Sequence, residues 1–168
     1  KLEYVPKNGS ESHSINLSGE QTSIYKVIKS DINSFNSFLI EGVTGSGKTE
    51  LYIKISDLIA SKRGQILIVV PEINLTPQTL ERFKKYLNFN VGTYHSSLSE
   101  NEKLNVWLNA KNGYLDIIVG TRSSIFLPFK NLKAIIIDEE HDLSLKQQEK
   151  FKYHARDLSI IRAKNNNL

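Results

Sequence analysis

The chain is 168 residues long, which by ordinary domain sizes is one domain with room for a sheet covered by helices on both faces. It has no cysteine, which excludes disulfides and thiolate metal sites, and no run of about 18 apolar residues that would read as a membrane span. The formal net charge of +4 is as compatible with a Lys- and Asn-rich surface as with binding a polyanion, so charge alone selects no partner.

Residues 1–14 are polar, carry Pro6 and Gly9, and show no periodicity. They read as a linker or the tail of an upstream domain, leaving 15–168 as the folded unit. No charged-then-apolar signal peptide is present, and a cytoplasmic protein is expected. Ser18-Gly19-Glu20-Gln21 has the capping-box spacing, and Ile24, Val27 and Ile28 continue it as a short amphipathic helix ending near Ser30. The cap alone would account for Gln21, and the spacing does not separate that from an adenine-binding role.

Phe38-Leu39-Ile40 is an apolar run long enough for a short buried strand. It leads into Gly42-Val43-Thr44-Gly45-Ser46-Gly47-Lys48-Thr49, which reads G-x-x-x-x-G-K-T, the phosphate-binding loop. Leu51, Ile55, Leu58 and Ile59 then recur at helical spacing. Strand, glycine loop and helix follow in the order the chemistry needs. Glycines let successive backbone N–H groups turn inward on phosphate oxygens, and the helix start adds its unpaired N–H groups and dipole. Lys48 supplies a full charge near the β- and γ-phosphates, and the Thr49 hydroxyl can ligate Mg2+.

Ile66-Leu67-Ile68-Val69-Val70 is a continuous apolar run, β-branched at every position but Leu67, the pattern of a strand buried on both faces, and Pro71 stops it. Thr76-Pro77 marks the start of a helix to about Tyr86. A weaker strand candidate runs from Phe89 to Thr93. Ser99-Glu100-Asn101-Glu102 is a second capping box, opening a helix through Leu104, Trp107 and Leu108 to about Lys111, closed by Asn112-Gly113. Ile117-Ile118-Val119 empties into Gly120-Thr121-Arg122-Ser123-Ser124, and Ala134-Ile135-Ile136-Ile137 into Asp138-Glu139-Glu140-His141. A last helix is expected from about Tyr153 to Lys164, with Leu158, Ile160 and Ile161 as its apolar side, while Asn165-Asn166-Asn167 has no structure of its own. This alternation predicts an α/β fold, a mostly parallel sheet flanked by helices on both faces, with ligands beyond the C-terminal strand ends.

A phosphate loop needs an acidic partner to hold the metal, and Asp138, directly after an apolar strand, is the natural one. Glu139 beside it can polarise the attacking water as general base. His141 either couples the γ-phosphate to a neighbouring domain or caps the strand end. A metal cluster of Glu140, His141 and His154 lacks any ligand spacing.

Asp-Glu-Glu-His together with the phosphate loop resembles superfamily-two helicases and translocases. From about Leu17 the chain resembles the PriA family of replication-restart DNA helicases. The residues that carry this are Gly42 to Glu50, Val70-Pro71-Glu72-Ile73-Asn74-Leu75-Thr76-Pro77-Gln78, Tyr94-His95-Ser96, Gly120-Thr121-Arg122-Ser123, Asp138 to Asp142, and Tyr153-His154-Ala155-Arg156-Asp157. The first and fifth are shared with many motor ATPases, whereas the second and last are particular to this family.

The resemblance implies a RecA-like lobe that binds ATP and Mg2+. Gln21 then matches an adenine-sensing glutamine. Gly42, Val43, Thr44, Gly45, Ser46, Gly47, Lys48 and Thr49 hold the nucleotide, Thr49 and Asp138 the metal, and Lys48, Asp138, Glu139 and His141 serve hydrolysis. Pro71, Glu72, Thr76, His95, Ser96, Thr121, Arg122, Ser123 and Lys146 match segments that contact the DNA strand. Hydroxyls, backbone N–H groups and a guanidinium are phosphate ligands without base preference. Single-stranded and forked DNA and primosome proteins are the implied partners, and the protein is expected as a nucleoid-associated bacterial monomer. Leu145 departs from the family, which usually has an aromatic residue there that stacks on a base. Phe151 or Tyr153 either takes over or coupling is weaker.

In such motors a second lobe supplies the arginine finger, and neither it, the Ser-Ala-Thr segment nor the zinc-binding cysteines of the family are in this sequence. The chain is expected to be a first motor lobe, nearly inactive alone. Two other readings compete: a nucleotide-dependent DNA- or protein-binding module without unwinding, against which Glu139 counts, and another superfamily-two translocase, against which Tyr153 to Asp157 counts.

Overall fold

Ser18 opens the first helix as its spacing requires. Its side chain accepts from the Gln21 N–H while the Gln21 side chain accepts from the Ser18 N–H, starting α1 (Gly19–Ser30). The computed structural model describes residues 15–43 and 45–168; the expected linker over 1–14 and Thr44 lie outside the described residues.

The elements that follow are α2 (Lys48–Ala60), β1 (Gln65–Val69), α3 (Pro77–Tyr86), β2 (Val91–Tyr94), α4 (Glu100–Asn112), β3 (Ile117–Gly120), β4 (Leu132–Ile137), β5 (Lys146–Gln147), β6 (Tyr153–His154) and α5 (Ala155–Asn166). β1 to β4 form one wholly parallel sheet in the order β2-β3-β1-β4. Ile68 in β1 faces Val119 on one side and Ile136 on the other.

Alternation along each strand sends side chains to opposite faces. Ile66, Ile68, Ile117 and Val119 pack with Leu51, Ile55 and Ile59 of α2 and Phe83 of α3. Leu67, Val69 and Ile118 pack with Ala110 of α4, Ala155 of α5 and the turn residues Ile125 and Leu127. Helices therefore cover both faces, as expected, and each large core side chain contributes about 1.5–3 kcal/mol by leaving water. Gly120 ends β3 where a Cβ would meet the Tyr94 carbonyl oxygen at 2.7 Å, so the chain passes there only without a side chain.

Three expectations need correction. Phe38, Leu39 and Ile40 form no strand. A strand is defined by the neighbour it bonds, and here a cleft of about 650 Å3, lined by these residues and by Ile135, Ile136 and Ile137, separates the segment from β4. Leu39 is 70% exposed as a result. In α5 the buried positions are Ala155 and Ser159, which let the helix approach closely, and Ile160 and Ile161 face outward. Asn165 and Asn166 belong to the last turn of α5, and Asn167, with φ of 51°, closes the helix while its side chain accepts from the Phe35 N–H.

Candidate nucleotide site and neighbouring loops

α2 starts at Lys48 behind Gly47, whose φ of 80° is left-handed and whose Cβ, if present, would lie 2.4 Å from Gln21 Nε2. That close approach has a purpose. Gln21 Nε2 donates to the carbonyls of Ser46 (2.9 Å) and Gly47 (3.1 Å), so one amide caps α1 with its oxygen and props the glycine loop with its nitrogen. Lys48 Nζ donates to the Gly42 carbonyl at 2.7 Å and lies 3.8 Å from Glu139 Oε1. The glycine loop and the acidic strand end are thus side by side at one rim of the sheet.

The acidic end is held by backbone and side chain together. The Asp138 N–H donates to the Val69 carbonyl at 2.9 Å, continuing the β4 ladder, and Tyr52 Oη donates to Asp138 Oδ1 at 3.2 Å. Burial raises the Asp138 carboxyl above its usual range; the Tyr52 hydrogen bond opposes this, Glu139 adds to it and Lys48 counters it. Burial, followed by the Asp138 charge, likewise raises the Tyr52 hydroxyl. Glu139 has φ of 46°, a left-handed backbone unusual for a residue with a side chain and a form of stored strain. His141 is exposed, with Nε2 3.5 Å from Glu139 Oε2. Glu140 pairs with Arg156 at 2.8 Å, tying the start of α5 to the acidic loop.

Thr49, on the first turn of α2, and Asp138 offer a hydroxyl and a carboxylate, hard oxygen donors that suit Mg2+. Among the described residues no group of three metal-ligating side chains converges, so Glu140, His141 and His154 are not a cluster. His154 instead caps α5, its Nδ1 accepting from the Arg156 N–H.

The loops expected to contact DNA leave the same rim. Ser96 Oγ donates to Glu72 Oε1 at 3.4 Å, joining the loops after β1 and β2. Pro71 is buried and His95 half-buried, and Thr76 spends its hydroxyl oxygen accepting from the Thr79 N–H as the cap of α3. Thr121 is only 2% exposed, so its hydroxyl is withdrawn from the surface; Arg122 and Ser123 are the half-exposed members of that loop. The Arg122 guanidinium donates to the Ser144 carbonyl at 3.0 Å, and Lys146 is exposed on β5.

Leu145 is fully buried in the second core cluster. In this fold position 145 is a core position, and the rings on the surface nearby are elsewhere. Phe126, Phe151 and Tyr153 form a cluster, with Tyr153 5.0 Å from Phe126 and 5.9 Å from Phe151 between centroids. Phe126 carries no motif in the sequence; it lies four residues beyond Arg122 in a loop whose polar residues dominate the pattern.

A wholly parallel sheet with a glycine loop and an acidic strand end adjacent at its C-terminal rim defines the lobe as a RecA-like P-loop domain. The chain belongs to the DEAD/DEAH box helicase family, whose sequence profile matches residues 19–167. It is similar to the replication restart protein PriA of Haemophilus influenzae, 49% identical over 136 residues that cover 81% of this chain and 19% of that protein. PriA of Bacillus subtilis is 41% identical over 162 residues, covering 95% of this chain and 20% of that protein. The chain thus spans about a fifth of the length of these curated relatives. In fold it resembles RecG in the structure of RecG bound to a three-way DNA junction, with a TM-score of 0.66 and 23% identity over 92% of this chain and 24% of that one. Among the described residues no helix is long and apolar enough to cross a membrane.

Proposed function

We propose that this chain is the ATP-binding lobe of a longer, cytoplasmic DNA helicase that acts in restart of stalled replication forks, hydrolysing Mg·ATP as it moves on single-stranded DNA. The carrying observation is the adjacency of Lys48 to Glu139 and of Tyr52 to Asp138, which brings loop and acid together. In this reading the backbone of Gly42 to Thr49 and the Lys48 ammonium hold the phosphates, and Lys48 exchanges its Gly42 carbonyl for phosphate oxygen. Thr49 and Asp138 would hold Mg2+, which when bound neutralises charge on the phosphate oxygens. Glu139 orients and deprotonates the attacking water, His141 beside it reports on the γ-phosphate, and Gln21 reads adenine from its place against the loop.

The DNA strand lies across Glu72, Ser96, Arg122, Ser123 and Lys146, with Phe126, Phe151 and Tyr153 offering faces for base stacking, worth about 1–3 kcal/mol per base. The PriA relatives are named replication restart proteins, which supports the restart role; other restart proteins and primosome proteins are the partners proposed for the longer protein. A nucleotide-dependent binding module without unwinding is the second reading, and the placement of Glu139 beside Lys48 counts against it, since mere binding has no use for a base.

Turnover of ATP by the longer protein, measured with and without single-stranded or forked DNA, tests this. DNA should raise turnover in the wild type, Lys48→Ala should abolish it, and Glu139→Gln should retain bound ATP while losing turnover. The 168 residues alone should bind Mg·ATP and hydrolyse little of it, because among the described residues Arg82, Arg122, Arg156 and Arg162 each hold a partner within the chain and Arg63 lies just before β1, at the strand ends opposite the site, so none is placed as an arginine finger; such a finger contributes about 10³–10⁵ in rate. Full turnover by Lys48→Ala would overturn the reading.

A further inference from the structure

Tyr52 stands one helical turn beyond Lys48, so α2 presents both to the site from one face. The ammonium reaches the loop and Glu139, and the phenol reaches Asp138. Tyr52 is buried, as befits a ring in the first core cluster, yet its hydroxyl does not stop at the core; it ends on a carboxylate. A half-buried carboxylate at a strand end can rotate about its side-chain bonds unless something holds it. Here the Glu139 backbone N–H and the Tyr52 hydroxyl are the donors that face it. Among the described residues the phenol is the hydrogen-bond donor that reaches it from another element, so a directed bond, beside the less directional pull of the Lys48 charge, ties the carboxylate's orientation to the helix that carries Lys48 and Thr49.

We propose that Tyr52 is a positioning residue: its hydroxyl fixes the Asp138 carboxylate in the orientation that receives Mg2+, registering the acidic strand end to the phosphate-binding helix. This rests on the nucleotide-binding reading above and extends it to a residue outside the loop and the acidic box. Outer partners that orient a metal-ligating side chain typically carry 10–100-fold of metal affinity. Tyr52→Phe keeps the ring in the core and removes only the oxygen.

The test is the Mg2+ dependence of fluorescent ATP binding by the longer protein, in the wild type, Tyr52→Phe, Asp138→Asn and the double variant. Tyr52→Phe should raise the Mg2+ concentration needed for half-maximal binding by about tenfold, leaving nucleotide binding without Mg2+ and the ligand-free melting temperature nearly unchanged. In the Asp138→Asn background the same substitution should add nothing, since a group that acts through Asp138 has nothing left to orient. An unchanged Mg2+ requirement in Tyr52→Phe, or an equal shift in both backgrounds, overturns the proposal while leaving the lobe's function intact. Failure of the wild type to bind nucleotide at any Mg2+ concentration would instead sink the nucleotide-binding reading, and this proposal with it.

Discussion

At the scale of single residues, candidate groups marked by short fixed spacings were legible, and a contact between residues far apart in the chain was not. Lys48, Asp138 and Glu139 were identifiable because a loop pattern and a strand end announce them. Tyr52 looked like any helix residue; its place four after Lys48 was the available signal, and only the fold shows that the face they share meets Asp138. Asp116 is a second example. It is nearly buried just before β3, with Oδ2 accepting from the Asn90 N–H. Burial outweighs that bond and raises its carboxyl above the ordinary 3.8. The folded state therefore holds this proton more tightly than the unfolded chain, and stability falls as pH rises from below 3.8 through the folded value. Asp116→Asn keeps an acceptor for Asn90 and removes the buried charge. Its melting temperature should exceed that of the wild type at pH 7, and the advantage should vanish as pH drops into the carboxyl range; an advantage independent of pH would show that charge is not the cause.

At the scale of elements, caps predicted helix starts well because they are local: the hydrogen bonds they describe lie within four residues. α4 shows both halves of its box, Ser99 Oγ accepting from the Glu102 N–H and Glu102 Oε2 accepting from the Ser99 N–H at 2.8 Å. The helix buries only Ala110 fully, so packing holds it less firmly than it holds α2, and the cap matters more. Ser99→Ala should cost about 1 kcal/mol, a fall of about 2–4 °C in melting temperature for a domain of this size, read by calorimetry. Strands and helix faces were less legible because they depend on partners far along the chain. Phe38, Leu39 and Ile40 have the composition of a strand and no neighbour to bond. α5 packs through Ala155 and Ser159, small residues that an apolar count passes over in favour of Ile160 and Ile161.

For the whole molecule, alternation of strands and helices was enough to foresee a parallel sheet with the candidate loops at one rim. It was not enough to tell which loop residues face outward. Leu145 looked like a lost stacking surface until the fold placed it in the core, while the exposed or half-exposed rings form a separate cluster that includes one, Phe126, from another loop. The sheet's end strand carries one more consequence. The Asp138 N–H bonds to Val69, so by the two-residue alternation Ile135 and Ile137 aim their backbone groups away from β1, into the cleft. An apolar ladder edge of this kind is a template for foreign strands. Solutions of the 168-residue chain should accordingly self-associate, with a light-scattering mass that climbs with concentration instead of holding at 19.1 kDa.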